Sequence, residues 1–304
     1  MYHRIIEVDR PGTKLRIEAG SLKIETEEGR VARFRTEELD CVVLSHPGVS
    51  LSNGALAELM AANVQIVVCD RKFRPTGVMR PFGATHLTNI FRCQLDVSEP
   101  LRKRLWQTIV QQKIVHQAAV LCDAIGDDCG LGAMAPRVRS GDVENVEAQA
   151  AVRFWQRFPG LAHGRDRGAN DLNLPLNYVY IVLFATMARA VCAAGLHPNL
   201  GLCHHNQYNP FCLASDLMEP YREVGERVVL AHAGEFTGEL TRDIKRALLG
   251  EMLAMKFGTE DLSLSLAMQR TAVSLRESYV AGEVKLDYPE LVRHVGDDDV
   301  RFAG

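Results

Sequence analysis

From Leu15 to Phe34 apolar and charged positions nearly alternate, with Leu15, Ile17, Leu22, Ile24, Val31 and Phe34 standing among Arg, Lys and Glu. A period of two puts the apolar side chains on one face of an extended chain, which predicts half-buried antiparallel strands. Ala19-Gly20 and Glu27-Glu28-Gly29 interrupt the pattern where tight turns are needed, so the segment reads as a hairpin stack. Cys41-Val42-Val43-Leu44 and Gln65-Ile66-Val67-Val68-Cys69 are short apolar runs rich in β-branched residues, which predicts two more strands. Between them, Asn53 to Ala62 is rich in Ala, Leu and Met and favours one helix lying against the sheet. Arg74-Pro75-Thr76-Gly77 signals a turn, and Pro81-Phe82-Gly83 punctuates the stretch after it.

Helical spacing takes over beyond a boundary at residues 82 to 91. From Pro100, a favourable first-turn residue, Leu101, Leu105, Ile109, Ile114 and Ala118 mark an apolar face, with Arg102, Lys103, Arg104 and Lys113 elsewhere on the helix. Further helices are expected over 143–158, 175–194, 211–218, 240–255 and 262–279, and no repeat of fixed period is visible. The expected fold is therefore α+β with two domains. An N-terminal β-rich, sandwich-like domain over 1–85 precedes a larger all-α domain over 86–304.

Composition narrows the class. The 304 residues are 47% apolar and 24% charged, with 24 Gly and 12 Pro, which excludes a fibrous or disordered chain and allows a sizeable core. No apolar run is read as approaching the roughly 20 residues of a membrane span, and the start is not that of a signal peptide, so a cytoplasmic protein without membrane contact is expected. Eight cysteines lie singly with no Cys-x-x-Cys pair, as in a reduced compartment without structural zinc. The net charge of −3 gives no global field for collecting nucleic acid, leaving only local Arg and Lys patches. The run 102–104 and the set Arg153, Arg157, Arg165 and Arg167 are read first as solvated faces, as is the acidic run Asp297 to Asp299. Trp106 and Trp155 are read as packing residues.

Candidate chemistry concentrates between Gly195 and Arg222. If 213–219 is helical, Asp216 and Glu219 project from one face, as two carboxylates sharing a divalent cation require. His204 and His205 stand in the glycine-containing approach to that helix, and Glu147 offers a third acid on another. Carboxylates with an imidazole suit Mg2+ or Mn2+ better than a thiolate-preferring ion. Taken singly, each of these residues also has an ordinary reading as a surface acid or a hydrogen-bonded structural histidine, and spacing alone does not choose.

The block Leu213-Ala214-x-Asp216-Leu217-Met218-Glu219-Pro220-Tyr221-Arg222 after Gly201-x-x-His204 resembles the hallmark of the CRISPR-associated endonuclease and integrase of the adaptation module, the Cas1 family. Asn145-Val-Glu147-Ala-Gln-Ala150-Ala151 is similar to the family's glutamate-bearing helix, and Pro175-Leu-Asn177-Tyr178 to the segment between these blocks. The stretches from His46, from Val67 to Asp70 and from Pro75 to Gly77 resemble its β domain, so the likeness spans nearly the whole chain. The short length and the Asn206-Gln207-Tyr208-Asn209 insert look most like the type II branch.

The resemblance implies insertion of short foreign DNA fragments into a CRISPR array by 3′-hydroxyl attack on a phosphodiester. It puts the catalytic ligands at Glu147, His204 and Glu219, with Asp216 as a further metal residue, the spacing from Gly201 choosing His204 over His205. It further implies double-stranded DNA as prespacer and repeat, a homodimer formed through the β domains, and a small ferredoxin-like CRISPR-associated partner. Tyr221 stands where Phe is common, and Glu223 where Pro usually follows the arginine. Two other classes fit the same residues: a metal-dependent phosphohydrolase of small nucleotides and a non-catalytic DNA-binding scaffold.

Overall fold

The computed structural model describes residues 4–71, 74–81, 85–161, 164–166 and 168–292. Phe82-Gly83, Arg167 and the run Asp297 to Asp299, singled out above, lie outside them. The elements, in chain order, are β1 (Arg4–Val8), β2 (Lys14–Glu18), β3 (Ser21–Glu25), β4 (Val31–Arg35), β5 (Leu39–Leu44), β6 (Ser50–Leu51), α1 (Asn53–Ala61), β7 (Gln65–Cys69), β8 (Pro75–Met79), α2 (Thr85–Leu95), α3 (Glu99–Ile125), α4 (Val146–Arg157), α5 (Asn173–Ala193), α6 (Cys212–Leu217), α7 (Arg222–Ala231), α8 (Arg242–Ala254), β9 (Lys256–Phe257), β10 (Leu262–Ser263) and α9 (Leu264–Ala281).

The alternating segment forms an antiparallel meander in which Leu15 faces Ile24, and Leu22 lies between Ile17 and Phe34, so the apolar row shares one face. Ala19 and Gly20 both take positive φ, 49° and 70°, the backbone a two-residue hairpin needs to match strand twist. This sheet, in the order β4-β3-β2-β6, packs on a second of order β1-β5-β7-β8. In the second sheet β1, β5 and β7 are parallel and β8 is antiparallel. Leu15 and Leu22 of the first share one core with Val42 and Ile66 of the second and with Leu59 of α1.

The opposite face of the second sheet explains why β5 and β7 do not alternate. Cys41, Val43, Val67 and Cys69 bury against Cys192 and Ala193 of α5, so residues 41–43 and 65–67 are buried whichever face they point to. Hydrogen bonds sew the same seam: Gln65 Nε2 donates to the Cys192 carbonyl at 2.6 Å, and Arg80 donates to Gln65 Oε1 and to the Gly195 carbonyl, each at 3.1 Å.

A larger core fills the helical part around α3 and α5. Ser98 caps α3 by accepting from the Leu101 amide, and Gly126 ends it in the left-handed conformation. Three expectations need correction. The helical part is not all-α, because β9 and β10 form a small antiparallel hairpin ahead of α9. The helix supposed over 213–219 stops at Leu217, leaving Glu219 in the turn before α7. And α5, at 21 residues with a mean hydropathy of 1.5 over an 18-residue window, is long and apolar enough to cross a membrane. Two-thirds of that window is buried against the rest of the chain, as for a central core helix. None of the eight cysteines forms a disulfide.

Candidate metal centre

Glu147 lies in the first turn of α4. Asp142 fixes that turn from outside, its two carboxylate oxygens accepting from the Val146 and Glu147 amides at 2.9 and 3.0 Å. Glu219 is 6% exposed, in the turn joining α6 to α7. Arg222, in the first turn of α7, grips it with Nε and Nη2 at 2.9 and 2.8 Å, a two-pronged pairing. Arg222 in turn lies 4.6 Å over the ring of Tyr180, which donates to Glu226 at 2.8 Å.

The two glutamates meet at a residue the sequence reading placed off the apolar face. Lys113 on α3 is 9% exposed, and its Nζ lies 2.6 Å from Glu147 Oε1 and 2.7 Å from Glu219 Oε2. The signal for it was present: Leu101, Leu105, Ile109 and Lys113 are each four apart, so the lysine falls in the buried stripe. Burial alone would raise the Glu219 carboxyl, but Lys113 and Arg222 outweigh it and hold the group at about 2.

The histidine is presented by a loop wrapped around Asp216. That carboxylate is fully buried. Its Oδ2 accepts from the Leu202 and Cys203 amides at 2.6 and 3.1 Å, and its Oδ1 from the His204 amide and from His204 Nδ1. Gly201 makes the wrap possible, because a Cβ there would fall 2.3 Å from the His204 carbonyl oxygen and 2.9 Å from Asp216 Oδ2. Trp106, two helical turns before Lys113, packs edge-on to the imidazole with ring centroids 6.0 Å apart. The hydrogen bond to Asp216 raises the imidazole's affinity for a proton, and the charges of Glu219 and Glu147 add to it. No described residue hydrogen-bonds His204 Nε2, while His205 is exposed and makes no such contact with Asp216.

Asp216 therefore does not share one helix face with Glu219 as expected from spacing. Helix α6 ends between them, and every oxygen of Asp216 is engaged in holding the His204 loop. Among the described residues no three of His, Cys, Asp and Glu are gathered closely enough to cage an ion. Glu147 and Glu219 instead share the ammonium of Lys113, and their charges act on the His204 imidazole. The donor types fit a divalent cation all the same: two carboxylates already share one positive charge, and the imidazole that feels their charge has one nitrogen tied to a carboxylate and the other without a hydrogen-bond partner among the described residues.

The supporting shell includes His116, which the sequence does not single out, together with Glu223 and Arg165. His116 of α3 lies 2.9 Å from Glu223 and 2.8 Å from the Pro220 carbonyl, anchoring the turn that carries Glu219. Glu223, noted above only as a departure from a family pattern, is thus the buried partner of His116. Arg165 also departs from its reading as a solvated face, donating to Asn173 and Asn177 at 2.6 Å each and lying over Trp155 and Tyr180.

Residues 6–243 match the family model described as CRISPR associated protein Cas1. The chain belongs to the Cas1 family. It is 36% identical over 244 residues to the CRISPR-associated endonuclease Cas1 of Neisseria meningitidis serogroup C, covering 78% of this chain and 79% of the relative. A Cas1 endonuclease of Pyrobaculum aerophilum is 27% identical over 288 residues, 88% and 96% of the two chains. Among solved structures, a casposase bound to integration product superposes with a TM-score of 0.75 at 20% identity, covering 93% and 97%. The Cas1-containing chain of a partial Cas6-RT-Cas1–Cas2 complex gives 0.75 at 18% identity, covering 94% and 99%. At these identities the two structures speak for a shared Cas1 fold.

Proposed function

We propose that this Cas1 chain is a divalent-metal-dependent DNA endonuclease and integrase that joins the 3′ ends of short DNA fragments to a CRISPR repeat. The observation that carries this reading is the meeting of Glu147 and Glu219, from distant stretches of chain, on one buried positive charge beside His204. Mg2+ or Mn2+ held by Glu147, Glu219 and His204 Nε2 would supply charge neutralisation at the scissile phosphate and at the departing oxygen. The protein itself needs no nucleophile, because the attacking hydroxyl belongs to DNA.

What the side chains contribute is preparation. Arg222 and Lys113 keep Glu219 ionised across the working pH range. Asp216 accepts the hydrogen bond of the His204 Nδ1–H, which would leave the Nε2 lone pair for the ion, and Asp142 fixes the backbone under Glu147. With a net charge of −3, duplex DNA is held through local Arg and Lys clusters, so binding weakens steeply with salt. Solved relatives include a Cas1 bound to DNA and Cas1 assembled with Cas2. A second copy of this chain and a small Cas2-type partner are accordingly part of the proposal.

The test is half-site integration with the purified chain, partner and a leader-repeat duplex, with and without manganese. Glu219→Ala is expected to abolish strand transfer and to leave DNA binding largely intact. Undiminished transfer in that variant, or turnover of small phosphoesters without any DNA joining, would remove the assignment.

A further inference from the structure

A divalent ion bound by Glu147 and Glu219 would compete with Lys113 for one place. The ammonium lies within 2.7 Å of a carboxylate oxygen on each glutamate, and only 11% of the side chain is exposed. An ion gripping both carboxylates needs oxygens at about 2.0–2.2 Å, which leaves no room for Nζ between them. Displacing a buried ammonium into apolar surroundings would be prohibitive unless another acceptor waits nearby. One does. Glu226 on α7 is 1% exposed, Tyr180 occupies its Oε1, and its Oε2 is buried without a hydrogen-bond partner. The charge of Lys113 already acts on this carboxyl, which burial pushes up to about 7.

We propose that Lys113 is a resident counter-cation that shuttles between two positions. It bridges Glu147 and Glu219 when the site is metal-free, and moves to Glu226 Oε2 when a divalent ion takes the glutamates. This rests on the metal-site reading above. In that role Lys113 and Glu226 are positioning residues: the first keeps two anions from repelling each other before metal arrives, and the second receives the displaced charge. The consequence is that the chain's own lysine sets the apparent metal affinity.

The experiment is a double-mutant cycle read by Mn2+ titration of the full chain, using electron paramagnetic resonance of free Mn2+, with folding checked by circular dichroism. Lys113→Met removes the competitor and is expected to tighten Mn2+ binding about tenfold, the repulsion of a unit charge at about 6 Å from a divalent ion even with water's screening. It is also expected to lower the metal-free melting temperature while enlarging the rise that Mn2+ produces. Glu226→Gln keeps the shape of the buried group and is expected to weaken Mn2+ binding when Lys113 is present, and by at least about threefold less when it is absent. Should Lys113→Met prove too unstable, Lys113→Gln serves the same arm. Equal or weaker Mn2+ binding in the Lys113 variants, or an equal effect of Glu226→Gln in both backgrounds, overturns the shuttle. Failure of the metal reading looks different: the unaltered chain would then bind no Mn2+ sensitive to His204→Ala.

Discussion

Replacing Asp216 by Asn is close to isosteric, yet it should disable the candidate centre through the tautomer of His204. The buried carboxylate accepts four N–H groups, two on each oxygen. An amide can keep only one oxygen in place. With that oxygen on the Leu202 and Cys203 amides, the introduced NH2 faces the His204 amide and Nδ1. The imidazole can meet it only by presenting a lone pair at Nδ1, which moves the ring proton to Nε2 and removes the free ligand nitrogen. Hydrogen bonds to a charged group are worth about 1.5–3 kcal/mol each, and a buried donor left unmet costs about 1–3 kcal/mol, so a net loss of about 2–4 kcal/mol is expected in urea unfolding. Metal affinity should fall about 10- to 100-fold, as is usual when the residue orienting a histidine ligand is changed.

Two-dimensional 15N spectra of the ring read the same change directly. In the unaltered chain the Nδ1-protonated form should dominate above the raised His204 pKa, and Mn2+ binding should weaken as the pH falls through that value, because the ligand nitrogen then carries a proton. In Asp216→Asn the midpoint should drop toward about 6.5 and the tautomer should switch. An unchanged tautomer, midpoint and metal affinity would refute the reasoning that Asp216 acts through His204.

Gly201→Ala would drive a Cβ to 2.3 Å from the His204 carbonyl oxygen, so the loop must shift, at a cost of about 1–3 kcal/mol in thermal unfolding and with weakened Mn2+ binding. A variant as stable and as competent in binding as the parent would show that the loop has slack. Glu219 titrates near 4.5 when unfolded and at about 2 when folded. Its contribution, about 3 kcal/mol, is full above pH 4.5 and drains away as the pH falls toward 2. Urea midpoints across that window should fall in the parent and flatten in Glu219→Gln, and parallel slopes would count against the pairing with Lys113 and Arg222. Tyr221→Phe deletes the 2.8 Å hydrogen bond to Thr271, whose hydroxyl still donates to the Asp287 carbonyl, so a loss of about 1 kcal/mol with strand transfer retained is expected. Lost strand transfer in a stable Tyr221→Phe chain would mean that the phenol does more than pack.

Local patterning alone settled much of this protein. Period-two alternation from Leu15 to Phe34 and the turn residues between its strands dictate the meander, because each side chain's face follows from its place in the strand. The apolar spacing of α3 and the hydrophobicity of α5 likewise follow from helix geometry. The Gly201-x-x-His204 and Asp216-Leu217-Met218-Glu219 blocks point to the stretch that carries the candidate centre. The sequence did not reveal what each acid does there. Asp216 and Glu219 are three apart, yet one is enclosed by backbone amides and the other faces Lys113 across a helix end, since burial and partners are set by other elements. Spacing puts Lys113 in the buried stripe of α3, but the partners of Lys113, Asp142 and Glu223 are not legible in the sequence: a charge becomes part of a site only when distant side chains surround it and exclude water, and that is decided by packing α3, α4 and α7 together.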